Sequence, residues 1–176
     1  AMKAQGREFT APDGFPTTAL HVVLQMLKAH LKEKPEHLAF VVDASGPTFR
    51  DDLDPQYKAN RPPMPDDLRA QIEPMLEIVQ ALGIPMLRVP GVEADDVIGT
   101  LARRAVERGD EVVIVSSDKD FAQLVGDRVK LYDPMRDVTQ DAELVRKRWG
   151  VRPEQFVDYL AIHGDAVDNI PGVDGI

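Results

Sequence analysis

Glu111-Val112-Val113-Ile114-Val115-Ser116-Ser117-Asp118-Lys119-Asp120 is the stretch on which the fold of this chain turns. Its first six residues form a short apolar run rich in β-branched side chains, with no polar alternation, the pattern of a strand covered on both faces. Covered strands belong to largely parallel sheets flanked by helices, where ligands bind beyond the carboxyl ends of the strands. Asp118 and Asp120 stand at such an end. The stretch thus predicts an α/β fold and the edge of the sheet where chemistry would occur.

The flanking sequence repeats the pattern. His37 to Asp43 reads as another buried strand, also ending in an acid, and Ile84 to Val89 and Arg128 to Tyr132 as two weaker ones. Between them lie amphipathic helices. Thr18 to Leu31 has apolar residues at helical spacing. Pro65 to Leu82 opens with proline and two acids, and Pro74 is expected to split it into two short helices. Glu93 to Arg108, Asp141 to Trp149 and Pro153 to His163 each stop at a glycine, Gly109, Gly150 and Gly164. The string Arg61-Pro62-Pro63-Met64-Pro65 marks a stiff, non-helical segment.

The chain has 176 residues, room for one ordinary domain with a real core, and carries 30 acidic against 21 basic side chains for a net charge of −9. The absence of cysteine excludes disulfides, thiolate metal sites and cysteine nucleophiles. The four histidines are scattered and fit no zinc spacing. No apolar run is long enough to span a membrane and no export signal is evident. Ala1 and Met2 precede no strand, and Asn169 to Ile176 reads as a turn about to open another element, so the sequence is expected to be a fragment.

So acidic a chain is a poor partner for nucleic acid by bulk electrostatics, and the position of the acids decides whether that objection stands. Asp43, then Glu93, Asp95 and Asp96, then Asp118 and Asp120, then Asp165 and Asp168 occur in four places that the α/β reading brings to one edge. Singly, each group has a plainer reading: helix caps and dipole partners for Glu93 to Asp96, turn formers for the others. Together they account for most of the net charge, which falls from −9 to −1 with these eight set aside. Crowded carboxylates repel unless cations intervene. An all-oxygen set suits hard ions, Mg²⁺ or Mn²⁺, and is too large for one, so two ions are expected. Such a pair can activate water and stabilise both oxygens of a phosphodiester displacement. Arg50, Tyr57, Lys58 and Arg61 form a basic strip beside the acids. Lys58 and Arg61 would share a face if helical and could grip a phosphate; the plainer reading is a solvated loop.

Several strings carry a resemblance. They are Val41-Val42-Asp43-Ala44 with Gly46-Pro47-Thr48-Phe49-Arg50, Tyr57-Lys58-Ala59-Asn60-Arg61-Pro62-Pro63-Met64-Pro65, Gly91-Val92-Glu93-Ala94-Asp95-Asp96-Val97-Ile98-Gly99, Ser117-Asp118-Lys119-Asp120-Phe121-Ala122-Gln123-Leu124-Val125, and Gly164-Asp165-Ala166-Val167-Asp168-Asn169-Ile170-Pro171-Gly172-Val173. In this order they closely resemble the 5′-nuclease domains of bacterial DNA polymerase I, within the flap endonuclease family, from about residue 13 to the last.

The resemblance implies a PIN-like fold and a 5′-3′ exonuclease or flap endonuclease that uses divalent ions on DNA 5′ ends, flaps and RNA primers. It maps the family's metal carboxylates onto Asp43, Glu93, Asp95, Asp96, Asp118, Asp120, Asp165 and Asp168. It maps the arch lysine and arginine onto Lys58 and Arg61, a phosphate-contacting arginine onto Arg50, and a base-stacking position onto Tyr57. Residues 1–137 would be the nuclease α/β domain, with the arch at about 51–70, and 138–176 the start of a helix-hairpin-helix region. A linked polymerase domain and a cytoplasmic, nucleoid-associated setting follow from the same likeness. Against the family pattern, a first strand with one more acid and the rest of the hairpin region are missing, so the chain by itself is expected to be marginally stable and weakly active. Two other readings stay open: a small RNA-cutting nuclease on a similar scaffold, and a catalytically dead, DNA-binding fragment whose acids only hold ions.

Overall fold

The structure, a computed structural model, describes residues 8–175; the readings placed on Ala1, Met2 and Ile176 lie outside the described residues. The chain divides into two compact units, one running to Phe40 and resuming over Pro62–Leu87, the other comprising Val41–Arg61 and the chain from Arg88 onward.

In the first unit, helix α1 (Thr18–Lys32) and helix α4 (Ile72–Ala81) enclose a small core of Leu27, Val79 and Ile84, with Val23, Leu38 and Phe40 against it. Strands β1 (Phe40–Val41) and β2 (Met86–Leu87) make a two-stranded sheet, and the Phe40 N–H donates to the Pro85 carbonyl at 2.8 Å. The seven-residue strand expected at His37–Asp43 is thus two residues long.

The Pro65–Leu82 stretch is indeed two helices, α3 (Asp66–Arg69) and α4, but the break precedes Pro74. Pro74 occupies the first turn of α4, where a backbone N–H has no intrahelical acceptor and its loss costs little. What parts the helices is Gln71, a buried residue whose side-chain oxygen accepts the Ala19 N–H at 2.8 Å and whose amide donates to the Asp67 carbonyl at 2.8 Å.

The second unit holds the predicted strand as β3 (Val112–Val115), but it is not covered on both faces as expected: Ile114 is buried, whereas Val113 is 58% and Val115 37% exposed. This strand pairs in parallel with β4 (Val129–Asp133), which pairs antiparallel with β5 (Val138–Gln140). Helix α5 (Ala94–Glu107), a six-residue 3₁₀ helix (Lys119–Leu124), α6 (Ala142–Trp149) and α7 (Phe156–His163) surround this sheet. Phe156, Leu131 and Val145, with no exposed surface, centre a core that also takes in Ala102, Ile114, Phe121 and Ala122. Trp149 packs edge-on against Phe156 at 5.2 Å. Helix α2 (Phe49–Leu53), not expected from the sequence, starts at a capping box: the Thr48 N–H donates to Asp51 Oδ2 at 2.7 Å and Thr48 accepts the Arg50 N–H at 3.3 Å. No helix among the described residues is long and apolar enough to cross a membrane.

Candidate metal centre

All eight singled-out acids fall in the second unit, on four segments with local reasons for their shape. Asp43 follows β1, and its Oδ1 accepts the Ala94 N–H at 2.7 Å, at the start of α5. Glu93 is the N-cap of that helix, and Asp96 Oδ2 accepts the Glu93 N–H at 3.0 Å. Unpaired N–H groups and the positive end of the helix dipole make this a favourable place for anions. Beyond β3, the Asp118 N–H donates to Ser116 Oγ at 3.1 Å, and Asp118 Oδ1 accepts the Asp120 N–H at 2.9 Å, capping the 3₁₀ helix. Past α7, Asp165 and Ile170 exchange two backbone hydrogen bonds of 2.8 Å. That closes a tight loop, and Gly164 and Gly172 meet at its neck so closely that a Cβ on Gly164 would lie 2.3 Å from the Gly172 nitrogen.

The basic strip turns toward these acids. Arg50 clasps Asp96 with two bonds of 2.7 and 2.9 Å. Lys58 Nζ donates to Glu93 Oε1 at 2.6 Å, and Arg61 donates to Asp168. The Tyr57 hydroxyl lies 3.1 Å from Glu93 Oε2 and 3.2 Å from Asp168 Oδ2. The helix on which Lys58 and Arg61 would share a face is not formed. Residues 55–60 form successive turns, with Lys58 itself at a φ of 56°. Backbone and amide bonds hold this segment to the Asp165–Asn169 loop: Lys58 N–H to the Asp168 carbonyl, 2.9 Å; Asn60 to the Ala166 carbonyl, 2.8 Å; Asn169 to the Gln56 carbonyl, 2.7 Å. Sequence reasoning missed Lys119, which pairs with Asp165 and stands 3.4 Å from Asp120 Oδ1. It also missed Asp133, an acid at a strand end like Asp43, and the signal that found one would have found the other.

The electrostatics separate paired from unpaired acids. The Arg50 bond holds Asp96 below the usual carboxylate range, against an opposing effect of burial. Burial would raise Asp165, but the Lys119 ammonium and the Val167 N–H outweigh it and hold the carboxyl low. Burial pushes Asp95 up to about 6, helped by the charges of Asp118, Glu93 and Asp43. Asp120 is raised by burial and then by Asp118. Burial drives the Tyr57 phenol up to about 12, so it stays protonated, with one hydroxyl proton to share between the two acids.

Carboxylate oxygens of Asp120, Asp165 and Asp168 lie within 4.8 Å of one another. Asp120 Oδ1 is buried and accepts no short hydrogen bond, its nearest cation being the Lys119 ammonium at 3.4 Å. A buried carboxylate oxygen without a short hydrogen bond, beside two more carboxylates, fits a hard divalent cation. Glu93, Asp95, Asp96, Asp120 and Asp168 line a cleft of about 970 Å³ together with Arg50 and Tyr57.

The family profile described as 5′-3′ exonuclease, N-terminal resolvase-like domain, matches residues 1–150. The chain is 52% identical over 168 residues to DNA polymerase I of Pseudomonas aeruginosa, covering 95% of this chain and 18% of that protein. It is 45% identical over 164 residues to the 5′-3′ exonuclease of Aquifex aeolicus, covering 93% of this chain and 57% of that protein. It therefore spans little more than half of the exonuclease and under a fifth of the polymerase. Among solved structures, phage T5 5′-exonuclease with bound divalent zinc superposes with a TM-score of 0.74 at 25% identity, over 90% of this chain and 62% of that one.

Proposed function

This chain belongs to the family of 5′-3′ exonuclease N-terminal resolvase-like domains, and from that premise we propose that it is the phosphodiester-hydrolysing domain of a divalent-cation-dependent 5′ nuclease acting on DNA ends and flaps. The observation that carries the reading is the approach of Asp120, Asp165 and Asp168 to within 4.8 Å of one another, at a buried Asp120 oxygen without a short hydrogen bond, in a cleft that Glu93, Asp95 and Asp96 also line. The related T5 5′-exonuclease with zinc bound supports it. So do the DNA polymerase I relatives, whose names make a linked polymerase domain the natural continuation.

Asp43, Glu93, Asp95, Asp96, Asp118, Asp120, Asp165 and Asp168 form the cradle, a set of oxygen ligands too large for one hard ion and suited to two Mg²⁺ or Mn²⁺ ions. When bound, the ions supply an acidified water and neutralise charge at the scissile phosphate. The chain's own cations complete the site. A phosphodiester in the cleft offers Lys58 and Arg61 an anionic partner in place of Glu93 and Asp168, and Arg50 a further contact. Tyr57, with the Lys58 ammonium 4.8 Å from its ring centre, presents an aromatic face for a terminal base. Residues 1–137 are read as the nuclease domain with an arch at about 51–70, and 138–176 as the beginning of a duplex-gripping region. RNA primers annealed to DNA belong to the same substrate class, and the setting is the bacterial nucleoid.

The test is cleavage of a panel of 5′-flapped DNA, blunt duplex and single-stranded RNA in Mg²⁺, comparing the parent with Asp118→Asn and Glu93→Gln. Both variants should keep the circular-dichroism spectrum of the parent and lose at least about 100-fold in turnover on flapped DNA. Parent-like rates in either variant, or single-stranded RNA as the preferred substrate, would overturn the assignment.

A further inference from the structure

One ionised side chain of the second unit stands outside the cradle and is still almost completely removed from water: Asp133, 1% exposed, at the end of β4. A carboxylate in that position is tolerated only if donors satisfy it, and three do. Oδ1 accepts the Ser117 hydroxyl at 2.8 Å and the Met135 N–H at 3.0 Å, and Oδ2 accepts from Arg136 at 2.6 Å. These donors outweigh burial and keep the carboxyl below its ordinary range. With its oxygens engaged by protein donors, Asp133 is a fastening rather than a ligand.

What it fastens follows from the register of the sheet. Val115 lies opposite Tyr132, and the Ser116 N–H donates to the Tyr132 carbonyl at 3.0 Å, the last rung of the β3–β4 ladder. Beyond that rung the backbone of β3 loses its partner strand, and there Ser117 reaches the Asp133 carboxylate. The next residue is Asp118, whose carboxylate caps the turn to Asp120.

We propose that Asp133 is a positioning residue which, through the Ser117 hydroxyl, extends the β3–β4 ladder by one side-chain rung and so presets Asp118 and Asp120 for cation binding. This rests on the divalent-cation reading above and adds a residue pair to it. Groups behind ligands commonly change metal affinity by about 10-fold or more when removed. Ser117 is exposed, so its loss leaves no hole in the core.

The experiment is titration calorimetry of Mn²⁺ into the parent, Ser117→Ala, Ser117→Thr and Asp133→Asn, with thermal unfolding in chelator on the same samples. Ser117→Ala should weaken the Mn²⁺ dissociation constant by several-fold to about 10-fold while unfolding within a few degrees of the parent, and Ser117→Thr, which keeps the hydroxyl, should bind as the parent does. Asp133→Asn should weaken binding at least as much; if it fails to fold, the two Ser117 variants carry the test alone. Equal Mn²⁺ affinity in parent and Ser117→Ala overturns the positioning role and leaves the nuclease reading standing. A parent that binds no Mn²⁺ overturns both.

Discussion

Asp95 is the acid for which the structure makes the sharpest energetic statement. It is the second residue of α5 and half-buried, and burial, followed by the charges of Asp118, Glu93 and Asp43, raises its carboxyl from 3.8 to about 6. The folded chain therefore holds a proton on Asp95 through a window, roughly pH 4 to 6, in which the unfolded chain has released it. Stability from this group falls as pH rises through that window, and the full cost is present above 6. Two pK units correspond to about 3 kcal/mol. Solvent screening of a partly exposed group reduces that to about 1–2 kcal/mol, and the helix dipole, which favours the anion, returns some tenths more. Asp95→Asn should therefore stabilise the cation-free protein by about 1 kcal/mol at pH 8 and by almost nothing at pH 4. Urea unfolding in chelator, followed by the fluorescence of the single tryptophan, Trp149, reads this directly. With saturating Mn²⁺ the order should reverse, because the parent alone keeps the full ligand set. No gain at pH 8 in chelator, or an equal gain at pH 4, would refute the claim that burial and the neighbouring acids together destabilise the Asp95 anion.

A Cβ added at Gly172 would sit 2.5 Å from the His163 carbonyl oxygen and 2.8 Å from that of Ile162. Gly172→Ala should thus cost about 1–3 kcal/mol in urea unfolding and, by shifting the Asp165–Asp168 loop, reduce Mn²⁺ affinity as well; a stable variant with normal affinity would contradict the close approach. Phe156→Ala removes a ring with no exposed surface that touches Trp149 and Tyr159, and should cost about 3–5 kcal/mol, measured at pH 7 in chelator.

The local features were legible because their causes are local. The helix stops at Gly109, Gly150 and Gly164 follow from backbone freedom, and Gly150 takes a φ of 77°. The β3 strand is recognisable from four β-branched residues in a row. Strand β5 escaped notice because Val138, Thr139 and Gln140 owe their extended form to pairing with β4. The break between α3 and α4 is not legible at Pro74 because Gln71, where it falls, is bonded to α1, 52 positions away.

For the candidate site, residue type and position relative to strand ends and helix starts sufficed to name the acids and the basic strip. They could not say which cation meets which acid. Lys58 finds Glu93 across 35 positions, Arg50 and Lys119 find Asp96 and Asp165 across 46 each, and Arg61 finds Asp168 across 107. Nothing in the neighbourhood of either partner encodes such a pairing. The sequence by itself determined the kind of fold and the chemistry of the donor set, because apolar periodicity and side-chain oxygen are properties of residues. Only the tertiary structure decided that Asp95 is pushed toward neutrality, that Asp120 has a buried oxygen without a short hydrogen bond and that Asp133 is buried among three donors, because burial and field are properties of the whole arrangement around a group.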